Sequence, residues 1–333
     1  MIKNQSLPLF AQGRARLKTA FQASLTASKN THLDGEHFDS LQSWSDAYLC
    51  LQGPACTHAE SLEDFGYTES PSALAEAKGL TAYAEVNRLF TDQGVAALRS
   101  ACEQLEGVAG HSQWIISKRC RAATEHSTLV REMMNSRAFL LAVSRVAGVP
   151  LIPYPMISAR SQVNYYSPAI LEDELTQFGM WHTDGTRFVL NILLSDPDEY
   201  RGGEFVFHHG TTNSFDINDY AGNFRKSRVS RCGDAVYLFG SQVFHGVKPV
   251  ISGKRMALVL SFHCPYSRED ANTFWHLSSD DGIGATIMPW LKLQRDLRRS
   301  ATEQYRRLGI DPISFGEVLF GREAVLNDMK ASQ

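Results

Sequence analysis

Hydrophobic and polar positions change rhythm twice along this chain. Between Phe10 and Ser28 the apolar residues recur at helical spacing, and residues 30–79 are polar and turn-rich, with Gly53-Pro54 and Ser70-Pro71-Ser72 as breakers. Residues 1–79 are therefore expected to form an N-terminal extension, part helical and part irregular. The segment "GLTAYAEVNRLF" then alternates as a strand does, and Thr91-Asp92 offers an N-cap for a helix running to Gln104-Leu105. A second helix is predicted from about Ser127 through "LVREMMNSRAFLLAVSRVAG", ended by Gly148 and Pro150.

After Pro155 the pattern switches to short apolar or alternating runs: "ARSQVNYY", "FGMWHT", "RFVLNILLS", "GEFVFHH", "AVYLF", "VFHGVKPV" and "RMALVLSFHC". Turn material separates them, such as Ser195-Asp196-Pro197, Arg201-Gly202-Gly203, Cys232-Gly233-Asp234 and Ser252-Gly253-Lys254. Many short strands without intervening helices indicate a sandwich or barrel. The polar insert from Gly210 to Ser230 reads as a surface loop or lid. Helical spacing returns beyond Ser267, so residues 268–333 are expected to form a C-terminal helical extension to a domain over residues 80–267. The predicted class is mainly β with flanking helices (α+β).

Composition narrows the function without fixing it. An apolar fraction of 43% and a net charge of −3 describe an ordinary globular protein with no bulk attraction to nucleic acid or anionic membrane. Small-molecule substrates lead, with no nucleic-acid partner and no membrane. The six cysteines form no CxxC pair, which reads as reduced thiols and a cytoplasmic protein. No apolar run approaches the roughly 20 residues that span a bilayer. Residues 1–33 carry Lys3, Arg14, Arg16, Lys18 and Lys29 and no acid, which leaves an organellar transit peptide as the alternative to a basic helix docked on its own domain. Oligomeric state is open, a homodimer included.

Chemistry concentrates between two apolar runs, at His182-Thr183-Asp184. On a strand, residues i and i+2 point to one side, so the imidazole and the carboxylate converge. His245, in "QVFHGVKPV", is the best candidate for a third ligand. Two histidines and one carboxylate on one face of a metal, the other positions open, suit non-haem Fe(II) and oxygen chemistry. Arg255, ten residues beyond His245, opens the next apolar run and offers a guanidinium that can fork onto the distal carboxylate of an acid co-substrate.

The ordered set His182-x-Asp184, Gly202-Gly203-Glu204, Gly233-Asp234-Ala235, His245-Gly246-Val247 and Gly253-Lys254-Arg255 resembles the Fe(II)- and 2-oxoglutarate-dependent dioxygenases, in the style of their prolyl 4-hydroxylase-like branch. The resemblance covers about residues 158–264. It implies a double-stranded β-helix (jelly roll) core, Fe(II) held by His182, Asp184 and His245, and 2-oxoglutarate held through its far carboxylate by Arg255. It also implies that Tyr166, in "QVNYYSP", hydrogen-bonds the co-substrate while Tyr165 points the other way. The activity implied is oxidation, with hydroxylation leading, of an unactivated C–H bond of an amino acid or specialised metabolite. O2 is consumed, succinate and CO2 are released, and ascorbate is a stimulant. Retention of Asp184 leaves no ligand position for a halide, while desaturation and ring closure stay open.

Two departures stand out: "SPAILEDELTQFGMW" is longer than the family's compact spacing, and Leu193 stands near where many relatives carry a tyrosine that touches 2-oxoglutarate. The alternatives are a protein side-chain hydroxylase and a cupin-like metal-binding or sensory protein that has no need of Arg255. His32 and Asp34 repeat the motif in polar sequence without strands and read as a loop. Gly202, Gly203 and Glu204 read as a hairpin turn, His208 and His209 as rim residues, His263 as a strand end, Arg187 as an exposed strand end with contact to a substrate carboxylate at the mouth as the alternative, and Trp181 as an apolar wall or core residue. The cations from Lys292 to Arg307 alternate with Asp296 and Glu303, the pattern of a solvated helix rather than a nucleic-acid face.

Overall fold

The computed structural model of this chain describes residues 43–50, 55–68, 80–111, 118–168, 181–216 and 223–264, together with 274, 278, 282–284 and 286–292. The chain divides into two compact units, Leu33–Ser267 and Met1–His32 with Arg268–Gln333. In the second unit residues 286–292 are helical, and the buried rings of Phe274 and Trp290 lie 5.8 Å apart. The remaining description concerns the first unit.

Its strands, in chain order, are β1 (Ala55–Ser61), β2 (Thr81–Asn87), β3 (Gly110–His111), β4 (Lys118–Arg121), β5 (Ile152–Pro153), β6 (Ser161–Tyr166) and β7 (Phe188–Leu193). They continue with β8 (Tyr200–Gly202), β9 (Phe205–His208), β10 (Phe224–Lys226), β11 (Ala235–Phe239), β12 (His245–Val247), β13 (Val250–Gly253) and β14 (Arg255–His263). A nine-stranded sheet runs in the order β1-β2-β11-β7-β14-β6-β4-β3, with β5 added to β14. A three-stranded sheet, β10-β9-β12, and a two-stranded one, β13-β8, complete the β structure among the described residues.

The large sheet is built with two unlike faces. Strand side chains alternate, and β14 sends Met256, Leu258, Leu260 and Phe262 one way. The register adds Tyr165 and Val163 from β6 and Ile192, Leu190 and Phe188 from β7 to that face. Helices α1 (Asp92–Gln104), α2 (Thr128–Asn135) and α3 (Arg137–Ala147) lie in the same unit. The Phe139 ring of α3 sits 6.2 Å from Phe262, and Tyr165 Oη donates to the Cys102 carbonyl of α1 at 2.5 Å. Thr91 caps α1 as expected, its Oγ1 accepting from Gly94 N at 3.2 Å.

The opposite face carries Arg255, Ala257 and Val259 of β14, Tyr166 and Asn164 of β6, and Tyr83 and Glu85 of β2, as their alternation and register require. This inner face meets the three-stranded sheet, where Phe207 stacks on Tyr83 with centroids 4.0 Å apart. Glu85 fastens the two layers. Its Oε1 accepts from Tyr83 Oη at 2.8 Å, Arg228 N at 2.7 Å and Ser227 Oγ at 3.3 Å.

Two expectations need correction. Residues 55–61 belong to the large sheet, not to an irregular extension: "ACTHAES" forms edge strand β1, whose short, polar side chains leave no hydrophobic alternation to read. The long helix after Ser127 is two helices, because Ser136 takes an extended conformation (φ −66°, ψ 126°) and its Oγ accepts from Phe139 N to cap α3. The insert after Gly210 contributes a short 3-10 turn at Thr212–Ser214 and strand β10, which pairs with β9. The predicted helix at Phe10–Ser28 and the pair His32 and Asp34 lie outside the described residues. Among the described residues no helix is long and apolar enough to cross a membrane.

Phe262 is fully buried between β14 and α3. Phe262→Ala should therefore lower the unfolding free energy by about 3–5 kcal/mol, read from urea titration. A loss below about 1 kcal/mol would remove this contact from the core.

Candidate metal centre

His182 and His245 face each other across an isolated antiparallel bridge. His182 N donates to the His245 carbonyl and His245 N to the His182 carbonyl, each at 2.9 Å. Directly opposed residues put their side chains on one face, and the two imidazole centroids lie 4.5 Å apart. Asp184 follows two residues later, held by its N–H on the Gly240 carbonyl at 2.8 Å. Its Oδ1 stands 3.7 Å from His182 Nε2 and its Oδ2 3.5 Å from His245 Nε2. One ligand atom from each residue fits within 4.8 Å of the others, close enough to share an ion.

The second histidine is prepared for ligation. His245 is buried, and burial pushes its pKa down to about 4, so the ring is neutral near pH 7. Its Nδ1 lies 2.9 Å from the Val243 carbonyl, which makes Nδ1 the protonated nitrogen and leaves the lone pair on Nε2. The Phe205 ring stacks on it at 5.5 Å. His182 is different: 45% of its side chain is exposed, so the cluster has an open side.

Gly240 is a site residue that sequence reasoning missed. A Cβ there would stand 2.6 Å from Asp184 Oδ2 and 2.8 Å from Asp184 Cβ, so the carboxylate occupies the space a side chain would need. Only spatial proximity reveals this, since a glycine after "AVYLF" looks like an ordinary strand end.

Arg255 and Tyr166 form a second group on the inner face. They are register partners of β14 and β6, and the Arg255 guanidinium carbon lies 5.0 Å from the centre of the Tyr166 ring. Arg255 is buried, and its Nε and Nη1 have no hydrogen-bond partner among the described residues. Gly203 makes room for it: a Cβ at Gly203, whose φ is +66°, would lie 2.9 Å from Arg255 Cδ. The Gly202-Gly203 turn is thus a cover for the arginine as well as a hairpin. Leu193 sits opposite Ala257 and carries no polar group to this patch.

Other sequence readings change. Arg187 is buried, not an exposed strand end, because the strand it precedes has both neighbours paired and Gly240 N donates to its carbonyl. His208 is buried rather than on a rim, its Nε2 3.0 Å from Ser214 Oγ. His209 sits 3.3 Å from Glu60 Oε1. Trp181 joins Phe215 and Phe224, with centroids 5.5 and 5.8 Å away, in an aromatic cluster that includes Phe244. Residues 169–180, most of the long spacing before His182, lie outside the described residues.

No family model and no curated protein matches the chain. Solved structures do resemble it. The non-haem 2-oxoglutarate-dependent carbocyclase SnoK from nogalamycin biosynthesis is 18% identical, with 65% of this chain and 89% of that one covered at a TM-score of 0.42. EctD from S. alaskensis, with bound Fe, is 14% identical, with 68% and 90% covered at a TM-score of 0.43. HygX from Streptomyces hygroscopicus, with nickel and 2-oxoglutarate bound, is 13% identical, with 56% and 83% covered at a TM-score of 0.41.

Because Gly240 shapes the position of Asp184, Gly240→Ala should weaken divalent-metal binding about 10–100-fold, the usual scale for disturbing a ligand's support. Equilibrium dialysis with Mn(II), beside a circular dichroism spectrum to show the fold retained, reads this out. Unchanged binding would separate Gly240 from the centre.

Proposed function

We propose that the chain is an Fe(II)- and 2-oxoglutarate-dependent dioxygenase, of the prolyl 4-hydroxylase-like style, that hydroxylates a C–H bond of an amino acid or specialised metabolite. One observation carries this reading. A cluster of two histidines and a carboxylate, open on one side, occurs in the same unit as a buried arginine whose Nε and Nη1 have no hydrogen-bond partner among the described residues. An orphaned buried guanidinium is costly unless an anion meets it. In this reading the facing sheets are a double-stranded β-helix.

The residues fit the two absent groups. His182, Asp184 and His245 would hold Fe(II) by two neutral imidazoles and one carboxylate, a donor set suited to that ion. Arg255 would hold the far carboxylate of 2-oxoglutarate in a charge-assisted pair, with the Tyr166 ring against the guanidinium fixing its plane. A bound iron would supply O2 activation coupled to decarboxylation of the 2-oxo acid. The chain's own contribution is positional. Val243 and Phe205 fix the His245 ring, Gly240 admits the Asp184 carboxylate, and Gly203 admits the arginine. The exposed side of His182 leaves room for the substrate. A metal-binding protein without 2-oxo acid turnover would have no use for a buried arginine at Arg255, which is why the oxygenase reading is preferred to a cupin-like sensor.

His182→Ala or Asp184→Ala should abolish Fe(II)-dependent formation of succinate from 2-oxoglutarate, and full activity in either variant would sink the ligand assignment. Arg255→Leu should raise the 2-oxoglutarate requirement by at least about 30-fold, equivalent to about 2 kcal/mol, while Mn(II) affinity stays put. An unchanged requirement would remove Arg255 from the site.

A further inference from the structure

Solvent reaches the middle of the large sheet at a single level. Along β14 every residue is buried except Val259, which is half-buried, and along β7 every residue is buried except Asn191. On β6 Gln162 is half-buried between buried Ser161 and Val163, and on β4 Arg121 is half-buried as well. The register makes these four residues one row. Val259 stands opposite Asn191 on one side and Gln162 on the other, and Gln162 stands opposite Arg121. Directly opposed residues share a face, so all four belong to the inner face. A strand paired on both sides is exposed only where that face is left uncovered, and the row therefore marks an opening over the inner face.

The opening adjoins the candidate metal centre. Ser261, the next inner-face residue of β14, bonds through its Oγ to Thr186 Oγ1 at 3.0 Å. The Thr186 carbonyl oxygen lies 2.8 Å from the point where a Cβ on Gly240 would stand, and Asp184 Oδ2 lies 2.6 Å from the same point. Arg255 is four residues back along β14, about 13 Å of strand, so the row and the arginine assigned to the co-substrate are separate parts of the face. The row has a polar gradient of its own. Asn191 and Gln162 place carboxamides on either side of Val259, and Arg121 places a guanidinium at the far end. Arg119, two residues earlier on the same face of β4, donates from Nη1 to Gln162 Oε1 at 3.5 Å, and Arg121 Nη2 donates to the Ser158 carbonyl at 3.2 Å. Both acceptors are neutral, so these two bonds supply orientation. Gln162, with its oxygen toward Arg119, keeps its NH2 group as a donor for another acceptor.

Resting on the dioxygenase reading above, we propose that this row binds the substrate and that the substrate is a small carboxylic acid. Arg121 and the Gln162 amide take its carboxylate, which accepts from several N–H groups at once. The carbon skeleton lies on Val259. Asn191, on the strand that the metal motif leads into, reads a polar group at the other end of the molecule. A neutral compound of the same shape would leave the guanidinium and the amide without their acceptor, and the row would reject it for that reason.

The test is succinate release by the Fe(II)-loaded full chain with 2-oxoglutarate and a panel of probes: the L-amino acids and their N-acetyl derivatives, each beside its primary amide. At least one acid should raise succinate release about 10-fold or more over its amide, the value of a hydrogen bond to a charged group. With that acid, Arg121→Gln should raise KM about 10-fold or more, and Gln162→Leu should raise it a few-fold. The dissociation constant of 2-oxoglutarate for the Mn(II)-loaded variants, measured by calorimetry, should stay put. Amides that stimulate as well as their acids would overturn the proposal, as would a panel in which no acid stimulates. An unchanged KM in Arg121→Gln, or in Gln162→Leu where circular dichroism shows Arg121→Gln unfolded, would also overturn it. Weakened 2-oxoglutarate binding in these variants would overturn it by placing the row at the co-substrate. Absence of 2-oxoglutarate binding by the parent protein would instead overturn the dioxygenase reading on which the proposal rests.

Discussion

Two backbone hydrogen bonds between His182 and His245 hold the candidate site together. They join the segment leading into β7 of the large sheet to β12 of the small one, and they bring both imidazoles to the same face. The bridge is made by main-chain atoms, and it sets the two imidazoles side by side with their centroids 4.5 Å apart. Asp184 depends on the same arrangement, since its N–H is tied to Gly240 at the end of β11, the neighbour of β7.

Around that bridge the large sheet separates its duties by face. The helix-side face is apolar and closed by Phe262, Tyr165 and their helical partners, which supply the stability. On the inner face, among the described residues, Arg255 lacks hydrogen-bond partners at two nitrogens and Asn164 at its oxygen. Glu85, also on this face, takes three donors at its Oε1 and joins the layers. Alternation on a strand makes the separation possible, because a shift of one residue in register would move Arg255 into the apolar layer.

Much of this was legible in the sequence, and the gaps have physical causes. The runs "SQVNYY", "FVLNIL", "FVFH", "AVYLF" and "RMALVLSFH" declare strands because each is buried on at least one face and carries β-branched or aromatic residues, whereas Trp181–Thr183 of "FGMWHT" pair only through the isolated bridge at His182. His182, Asp184, His245 and Arg255 are legible because charged and imidazole groups interrupt apolar runs at set offsets. Strand β1 is not legible, since "ACTHAES" buries polar His58 and Glu60 in part and exposes small residues between them, which leaves no hydrophobic alternation. Ser136 looks the same in sequence whether it sits within a helix or caps the next one. Arg187 was misread because charge alone argues for exposure, and its burial follows from the strands on either side. Gly240 and Gly203 acquire meaning only from what approaches them in space.

The account's central claim is that His182, Asp184 and His245 bind one iron ion beside a chelating 2-oxo acid held by Arg255. Visible absorption under anaerobic conditions tests it most directly, because chelation of Fe(II) by a 2-oxo acid gives a charge-transfer band that neither component gives alone. The account requires this band when 2-oxoglutarate is added to the Fe(II)-loaded protein, and its loss in His245→Ala. The same band in His245→Ala, or none in the parent chain, would contradict the claim.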